Sequence, residues 1–434
     1  MAPQLVAVAS LLLGSTFLVI AGSMHGLLLA VRGTVDGFST AELGLLGTGW
    51  ASGFVAGCIL IPNVVRRVGH IRAYGALASV GAVTILLNLL IVTPVAWILL
   101  RAVSGFTFAG ASMIVESWLN ERASTENRGM IFSVYQMVSF GASTAGQLLL
   151  AINPPNDYFY FVLGAMFYCL AILPTALSTA ATPRPLKTTR FDIRRLYALS
   201  PVSVVVCFLI GLTNGAFGTL GPVYAQRIGL PIREVAVLTA GALLGGSLIQ
   251  FPLGWLSDRM DRRRVLVAVG IGAVAIGIAM VSLRPRDAVL ITGLVTLYGA
   301  MAYPMYALSV AHANDFAGTD EFVKTASGLL LLYGFGTMIG PVVAAYAMQN
   351  WIPEGLFAFT ASVHVLVVAY TLFRMTKRTP PGPETRETFQ GLPLPKTVTP
   401  ESATLDPRAE PALLPDPSEP VAPSGPVGTH AAGQ

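Results

Sequence analysis

Few side chains in this 434-residue chain can do chemistry, and their positions restrict what that chemistry is. Arg101 stands inside a long apolar run. A guanidinium at the centre of such a helix costs about 2.5 to 3.5 kcal/mol on insertion scales, so its presence suggests an anion, a polar ligand or a titrating neighbour. Glu116 lies fifteen residues later. That is roughly 22 Å along a helix at about 1.5 Å per residue, so the two should serve opposite ends of a pathway. His25, His312 and His364 are the other titratable groups within apolar runs, with Glu42 near the end of one, and no carboxylate lies near a run's centre. His364 is expected to face packing or lipid. Asn214, Gln136 and Ser139, with Tyr298, Tyr303, Tyr306 and Tyr333, are the polar and aromatic side chains expected to line a cavity, and Asn214 leads this set.

No HExxH, paired carboxylates or serine–histidine pair share a depth, and no histidine or cysteine stands at metal spacing. Cys58, Cys169 and Cys207 each sit in an apolar run and read as reduced core residues. Ligand binding and charge switching are therefore expected. An enzyme, a cofactor and a metal are not.

The elements that must hold these groups follow from composition. The chain is 54% hydrophobic and only 11% charged, with mean hydropathy +0.67, whereas soluble domains average about 25% charged residues. Apolar runs of bilayer-crossing length predict twelve helices, at about 6–31, 41–65, 73–93, 95–119, 129–151, 158–178, 200–225, 233–256, 264–283, 287–311, 324–349 and 354–375. The predicted class is an all-α integral membrane protein. The first run lacks a basic leader and a clean cleavage site, so it reads as a retained span.

With the N-terminus inside, inner loops hold fifteen Lys and Arg and outer loops five: Arg32, Arg227, Arg233, Arg284 and Arg286. Both termini are therefore expected in the cytoplasm. Residues 1–178 and 200–375 read as two six-helix halves joined by a basic linker, 179–199. Residues 376–434 hold 13 of the 29 prolines and read as a disordered tail.

The halves are related. An offset of 194 places Gly105 on Gly299, Asn120-Glu121 on Asn314-Asp315, and Gly146 on Gly340, while an offset of 192 places Arg66-Arg67 and Gly69 on Asp258-Arg259 and Asp261. The loop after the second span reads Pro62-Asn63-Val64-Val65-Arg66-Arg67-Val68-Gly69-His70-Ile71-Arg72. Its counterpart reads Gly254-Trp255-Leu256-Ser257-Asp258-Arg259-Met260-Asp261-Arg262-Arg263. Both resemble the GxxxDRxGRR signature of the major facilitator superfamily, with Arg66 where the first copy would have Asp and Pro62 where it would have Gly. Arg101 and Gly105 resemble that family's RxxxG element.

Helix eleven carries Gly334, Gly336, Gly340 and Pro341, and helix five carries Gly141 and Gly146 but lacks the proline of the antiporter branch. The strings Val115-Glu116-Ser117-Trp118-Leu119-Asn120-Glu121-Arg122 and Ala311-His312-Ala313-Asn314-Asp315 look like the bacterial YcaD-like group.

The resemblance implies the major facilitator fold with two pseudo-symmetric halves, in a bacterial inner membrane, acting as a monomer. It implies a secondary active transporter that moves a small organic solute by alternating access, exporting it and coupled to protons. An importer of a nutrient such as a vitamin or sugar is the alternative, and a non-transporting receptor or assembly protein the alternative of another class. Cytoplasmic charge clusters in such a fold can pair across the halves and bias a two-state gate. The expected pairs join Arg66 and Arg67 to Glu116 or Glu121, and join Asp258, Arg259 and Arg262 to Asp315. The competing reading is that these arginines only set topology. A small molecule, protons and the bilayer are the expected partners; nucleic acid is not.

Overall fold

The computed structural model describes residues 2–123, 127–153, 157–176, 192–318, 321–379, 389, 391–392 and 399–405. Helices α1 (Ala2–Val35), α2 (Thr40–Val68), α3 (His70–Leu90), α4 (Pro94–Arg122), α5 (Arg128–Leu148) and α6 (Phe159–Ala176) form the first half. A short α7 (Ile193–Leu199) leads into the second half. That half consists of α8 (Pro201–Arg227), α9 (Ile232–Arg259), α10 (Arg262–Leu283), α11 (Ala288–Ala302), α12 (Pro304–Asn314), α13 (Phe322–Asn350) and α14 (Gly355–Met375). Eleven spans among the described residues are long and apolar enough to cross a bilayer, with α11 and α12 together making one. The less apolar α5 completes twelve rods.

Local chemistry sets several boundaries. Ser39 and Glu42 form a reciprocal capping box before α2. Gly69 turns the chain into α3 at φ +83°, a conformation that favours glycine. The tenth span, expected as one helix, breaks at Tyr303 because Pro304 brings no backbone N–H to the i−4 ladder.

Helices approach closely where glycine removes the side chain. A Cβ on Gly53 would lie 1.8 Å from the Ala102 carbonyl oxygen, and one on Gly105 2.0 Å from that of Trp50, so α2 and α4 pack backbone to backbone. In the second half Gly245 meets Thr296 at 2.3 Å and Gly299 meets Ala242 at 2.0 Å, again through carbonyl oxygens. The α2 partners map onto those of α9 by 192, and the α4 partners onto those of α11 by 194. Gly146 against Ile20 and Gly340 against Leu212 follow the same rule. Without water to drive association in lipid, such contacts supply dispersion attraction. Leu99, Leu248, Phe251 and Ile278 are exposed on the outer surface, as side chains against lipid should be.

Successive rods alternate direction, which gathers Arg66, Arg67, Arg72, Arg122, Arg128 and the 258–264 cluster at one end of the bundle, the basic end. At the opposite, far end the halves meet directly. Gly44 lies against Pro341 and Ala345, Gly47 against Thr219, and Gln226 donates to the Val31 carbonyl at 3.3 Å.

Two expectations need correction. The C-terminal tail, read as disordered from 376, contributes a 3-10 turn at Pro400–Leu405 in which Ser402, Ala403 and Leu405 are buried, and Thr399 just before it is buried too. The rest of the tail beyond 379, apart from Phe389, Gly391 and Leu392, lies outside the described residues, as does most of the linker. All three cysteines are free, but only Cys58 and Cys207 are buried; Cys169 is exposed because it lies on the outer face of α6.

Candidate substrate cavity and charge clusters

A cavity of about 170 Å³ lies between the halves. Its walls come from α1, α2, α4 and α5 on one side and α8, α9, the Tyr303 break and α13 on the other. Arg101, Asn214, Tyr303 and Tyr333 stand on its wall, together with Trp50, Phe108 and Gln147, which sequence reasoning did not single out. Trp50 had a readable signal, since it stands 3 residues before Gly53 on the small-residue face of α2.

Arg101 is buried, with its guanidinium carbon 5.9 Å from the centre of the Trp50 ring, within cation–π range. Its Nη1 has no hydrogen-bond partner. Neither amide atom of Asn214 has a partner at bonding geometry, although the Tyr333 hydroxyl lies beside it. Buried polar atoms are ordinarily satisfied, so orphans on a cavity wall mark places where a ligand can bond. Among the described residues that line the cavity none is acidic. The Arg101 charge therefore meets aromatic faces and neutral amides, and an incoming anion gains directly.

Other expected cavity residues lie elsewhere. His25 is buried behind the wall and bonded to Asn88 Oδ1 at 3.0 Å. Tyr298 sits among Phe217, Phe357 and His364, whose ring stands edge-on at 5.9 Å, in a packing cluster of the second half. His364 also bonds the Thr360 carbonyl, a packing role. Tyr306 packs edge-on to Tyr333 nearer the basic end, and Ser139 is buried but not on the wall. Gln136 lies at the basic end, where its amide reaches the Gly391 carbonyl.

The charge clusters also differ from expectation. Arg66 and Arg67 are exposed, and Arg66 contacts Asn63 one turn earlier rather than a glutamate. Glu121 is exposed. Glu116 is buried inside the bundle, where it accepts from Tyr135 at 3.0 Å and from the hydroxyl and backbone N–H of Thr399. It faces inward because α4 at this level packs into the core, beyond the reach of the loop arginines.

In the second half Arg262 is buried and donates to Asp315 at 2.8 Å and to Asp258 at 3.1 Å. Both contacts lie within one half, so this cluster is not a cross-half pair in the state seen. Arg259 instead lies on the Trp255 ring at 3.6 Å. Asp261 caps α10 and bonds Arg263. Burial alone would raise its carboxyl, but the Arg263 bonds hold it below the usual range. Gly254 has the Phe389 ring where a Cβ would stand.

Two related helical halves, sealed at one end around a shared polar-aromatic cavity, are the build of a membrane transporter. Residues 204–414 match the Major Facilitator Superfamily. Proteins named uncharacterized MFS-type transporter YcaD from Escherichia coli O6:K15:H31 (strain 536 / UPEC) and Escherichia coli O9:H4 (strain HS) are each 26% identical over 337 residues, covering 77% of this chain and 87% of theirs. Among solved structures, the nucleoside transporter NupG superposes with TM-score 0.70 at 14% identity, covering 87% of this chain and 100% of that one. A bacterial homologue of the human lysosomal transporter Spinster, in an inward-facing and occupied conformation, gives 0.68 at 16% identity, covering 88% and 97%. The chain has the major facilitator fold and is similar to the YcaD transporters.

Proposed function

We propose that the protein is a secondary active transporter that moves a small organic solute by alternating access, and that the solute is an amphipathic anion held by Arg101. The observation that carries this reading is the unpartnered Arg101 Nη1 on a cavity wall shared by both halves and lacking an acidic side chain. Trp50, Tyr303 and Tyr333 offer apolar faces to the body of the solute, and Asn214 offers a donor and an acceptor. A desolvated guanidinium with its planar fork suits a carboxylate.

The basic end is assigned to the cytoplasm by the excess of positive loops, so the state seen, closed at the far end, is inward-facing. Export is the proposed direction, although alternating access can run either way. Coupling to protons is assigned to Glu116, a buried carboxylate whose partners Tyr135 and Thr399 bring hydroxyl groups and no charge.

The test uses purified protein in proteoliposomes with phenylacetate, phenylacetamide and phenethylamine as matched anionic, neutral and cationic probes. Thermal stabilisation by the anion alone, absent in Arg101→Gln, is expected because a ligand that binds the folded state raises apparent stability. Equal stabilisation by the amine would overturn the anion assignment. A proton gradient should drive net uphill transport of the anion in the wild type and not in Glu116→Gln.

A further inference from the structure

The basic end is where an inward-facing transporter should present an open mouth between its halves, yet a piece of this chain sits there. From the first half, Glu116 of α4 accepts from the Thr399 N–H at 3.3 Å and from its hydroxyl, and Gln136 of α5 donates to the Gly391 carbonyl. From the second half, Gln250 of α9 donates to the Leu392 carbonyl at 2.9 Å, Asp258 accepts from the Phe389 N–H at 2.9 Å, and Ser327 of α13 donates to the Pro400 carbonyl at 3.3 Å. Two glutamines, one per half, thus reach adjacent residues of the segment. Gly391 lies between them, and a Cβ there would stand 3.4 Å from Gln136 Oε1 and 3.3 Å from Gln250 Oε1.

Apolar contacts follow the same plan. Leu392 packs against both core clusters, the larger of which draws on both halves, Phe389 fills the space beside Gly254, and Leu405 is buried in the larger core.

We infer that Phe389, Gly391 and Leu392 together with Thr399–Leu405 act as an autoinhibitory strap that docks in the basic-end mouth, bonds both halves at once and must leave before that end can close. This rests on the alternating-access reading and adds a control that the reading does not require. Closure at the basic end would bring α4 and α5 toward α9 and α13, into the space the strap occupies. While docked, the strap also holds Glu116 through Thr399, so the carboxylate assigned to coupling is engaged. The ligand of this site is the chain's own segment, recognised by backbone carbonyls and N–H groups, one hydroxyl and the apolar Phe389, Leu392 and Leu405.

The test measures distance between spin labels at Arg72→Cys and Arg264→Cys, exposed positions at the basic end of each half, with Cys58, Cys169 and Cys207 replaced by alanine. The full-length chain should give one long distance. Thr399→Glu, which sets a second carboxylate against Glu116, and Leu405→Asp should each make a shorter distance the major species. A synthetic peptide of residues 389–405, added in excess to either variant, should restore the long one. Helix content and monodisperse elution certify that the variants are folded. Identical distributions in all folded chains would overturn the strap. Failure of the transport reading looks different: the distances shift, but no variant exchanges any probe in counterflow.

Discussion

The two ends of the bundle hold the halves together by opposite means. At the far end Gly44, Gly47 and Gln226 meet Pro341, Thr219 and Val31 through backbone and small side chains, with hydrogen bonds from Thr48 to the Met338 carbonyl at 2.7 Å and from Gln226 to the Val31 carbonyl at 3.3 Å. At the basic end the bonds described across the gap run through the strap, and they are polar on both sides. The far-end contact is made by the helices themselves, through close packing and direct hydrogen bonds. The basic-end contact depends on an occupant, so it can be removed without rebuilding a helix.

The charged basic end is where the largest perturbation is expected. Asp315→Asn takes one carboxylate from the buried Arg262, which keeps Asp258 and Ser257, and breaking a buried pair costs about 3 to 5 kcal/mol. The surviving partners put the loss near 3, read as a fall in the thermal midpoint in detergent, and an Arg262→Met, Asp315→Leu double variant should recover most of it. A fall no larger than that of a surface substitution would show the cluster to be dispensable.

Next comes the far end. Gly47→Val drives side-chain atoms into Thr219, and overpacking costs about 1 to 3 kcal/mol. The closed far end should yield first, so a membrane-impermeant maleimide added from that side should reach Ser143→Cys on the cavity wall. Unchanged labelling would mean that the far-end seal does not rest on this contact.

Gln250→Leu removes one neutral bond to the strap, about 1 kcal/mol. Chymotryptic cleavage after Phe389 should accelerate several-fold, whereas an unchanged rate would place that bond outside the docking energy.

The smallest effect concerns Asp261. Its folded carboxyl titrates below the ordinary value of about 4, so its contribution is fully present above that value and is lost as pH falls through the lowered one. Asp261→Asn should flatten the dependence of thermal midpoint on pH between about 5 and 3. An unaltered slope would assign the acid sensitivity to other groups.

Length and apolarity made the helices legible, and matching positions at offsets of 192 and 194 made the repeat legible, while the carbonyls that its glycines touch came from the structure. Helix rotation was less so. A rod apolar toward both lipid and neighbouring helices carries almost no 3.6-residue polarity signal, so Arg101 was recognisable by its charge while His25, Gln136 and Tyr298 gave no sign of which way they pointed. Asp315 was traceable to Arg262 through the repeat because both copies end their helix in Asn-acid. Glu116 was not traceable, because its partner Thr399 is 283 residues away in a stretch whose average composition reads as unstructured. Four buried residues do not change that average.

The paired glycines give the halves a mechanical consequence. Backbones in such close contact cannot slide past one another without losing most of their attraction, so each half behaves as a stiff lever pivoting near the far-end seal. From Gly47 to Val68, α2 extends 21 residues, about 32 Å at 1.5 Å per residue, and a turn of about 10° carries its basic tip through roughly 5 to 6 Å. Neighbouring hydrogen-bonded backbones in a sheet lie about 4.8 Å apart. One layer of polypeptide is therefore as thick as the stroke is long, and a single layer of strap is enough to wedge the jaws.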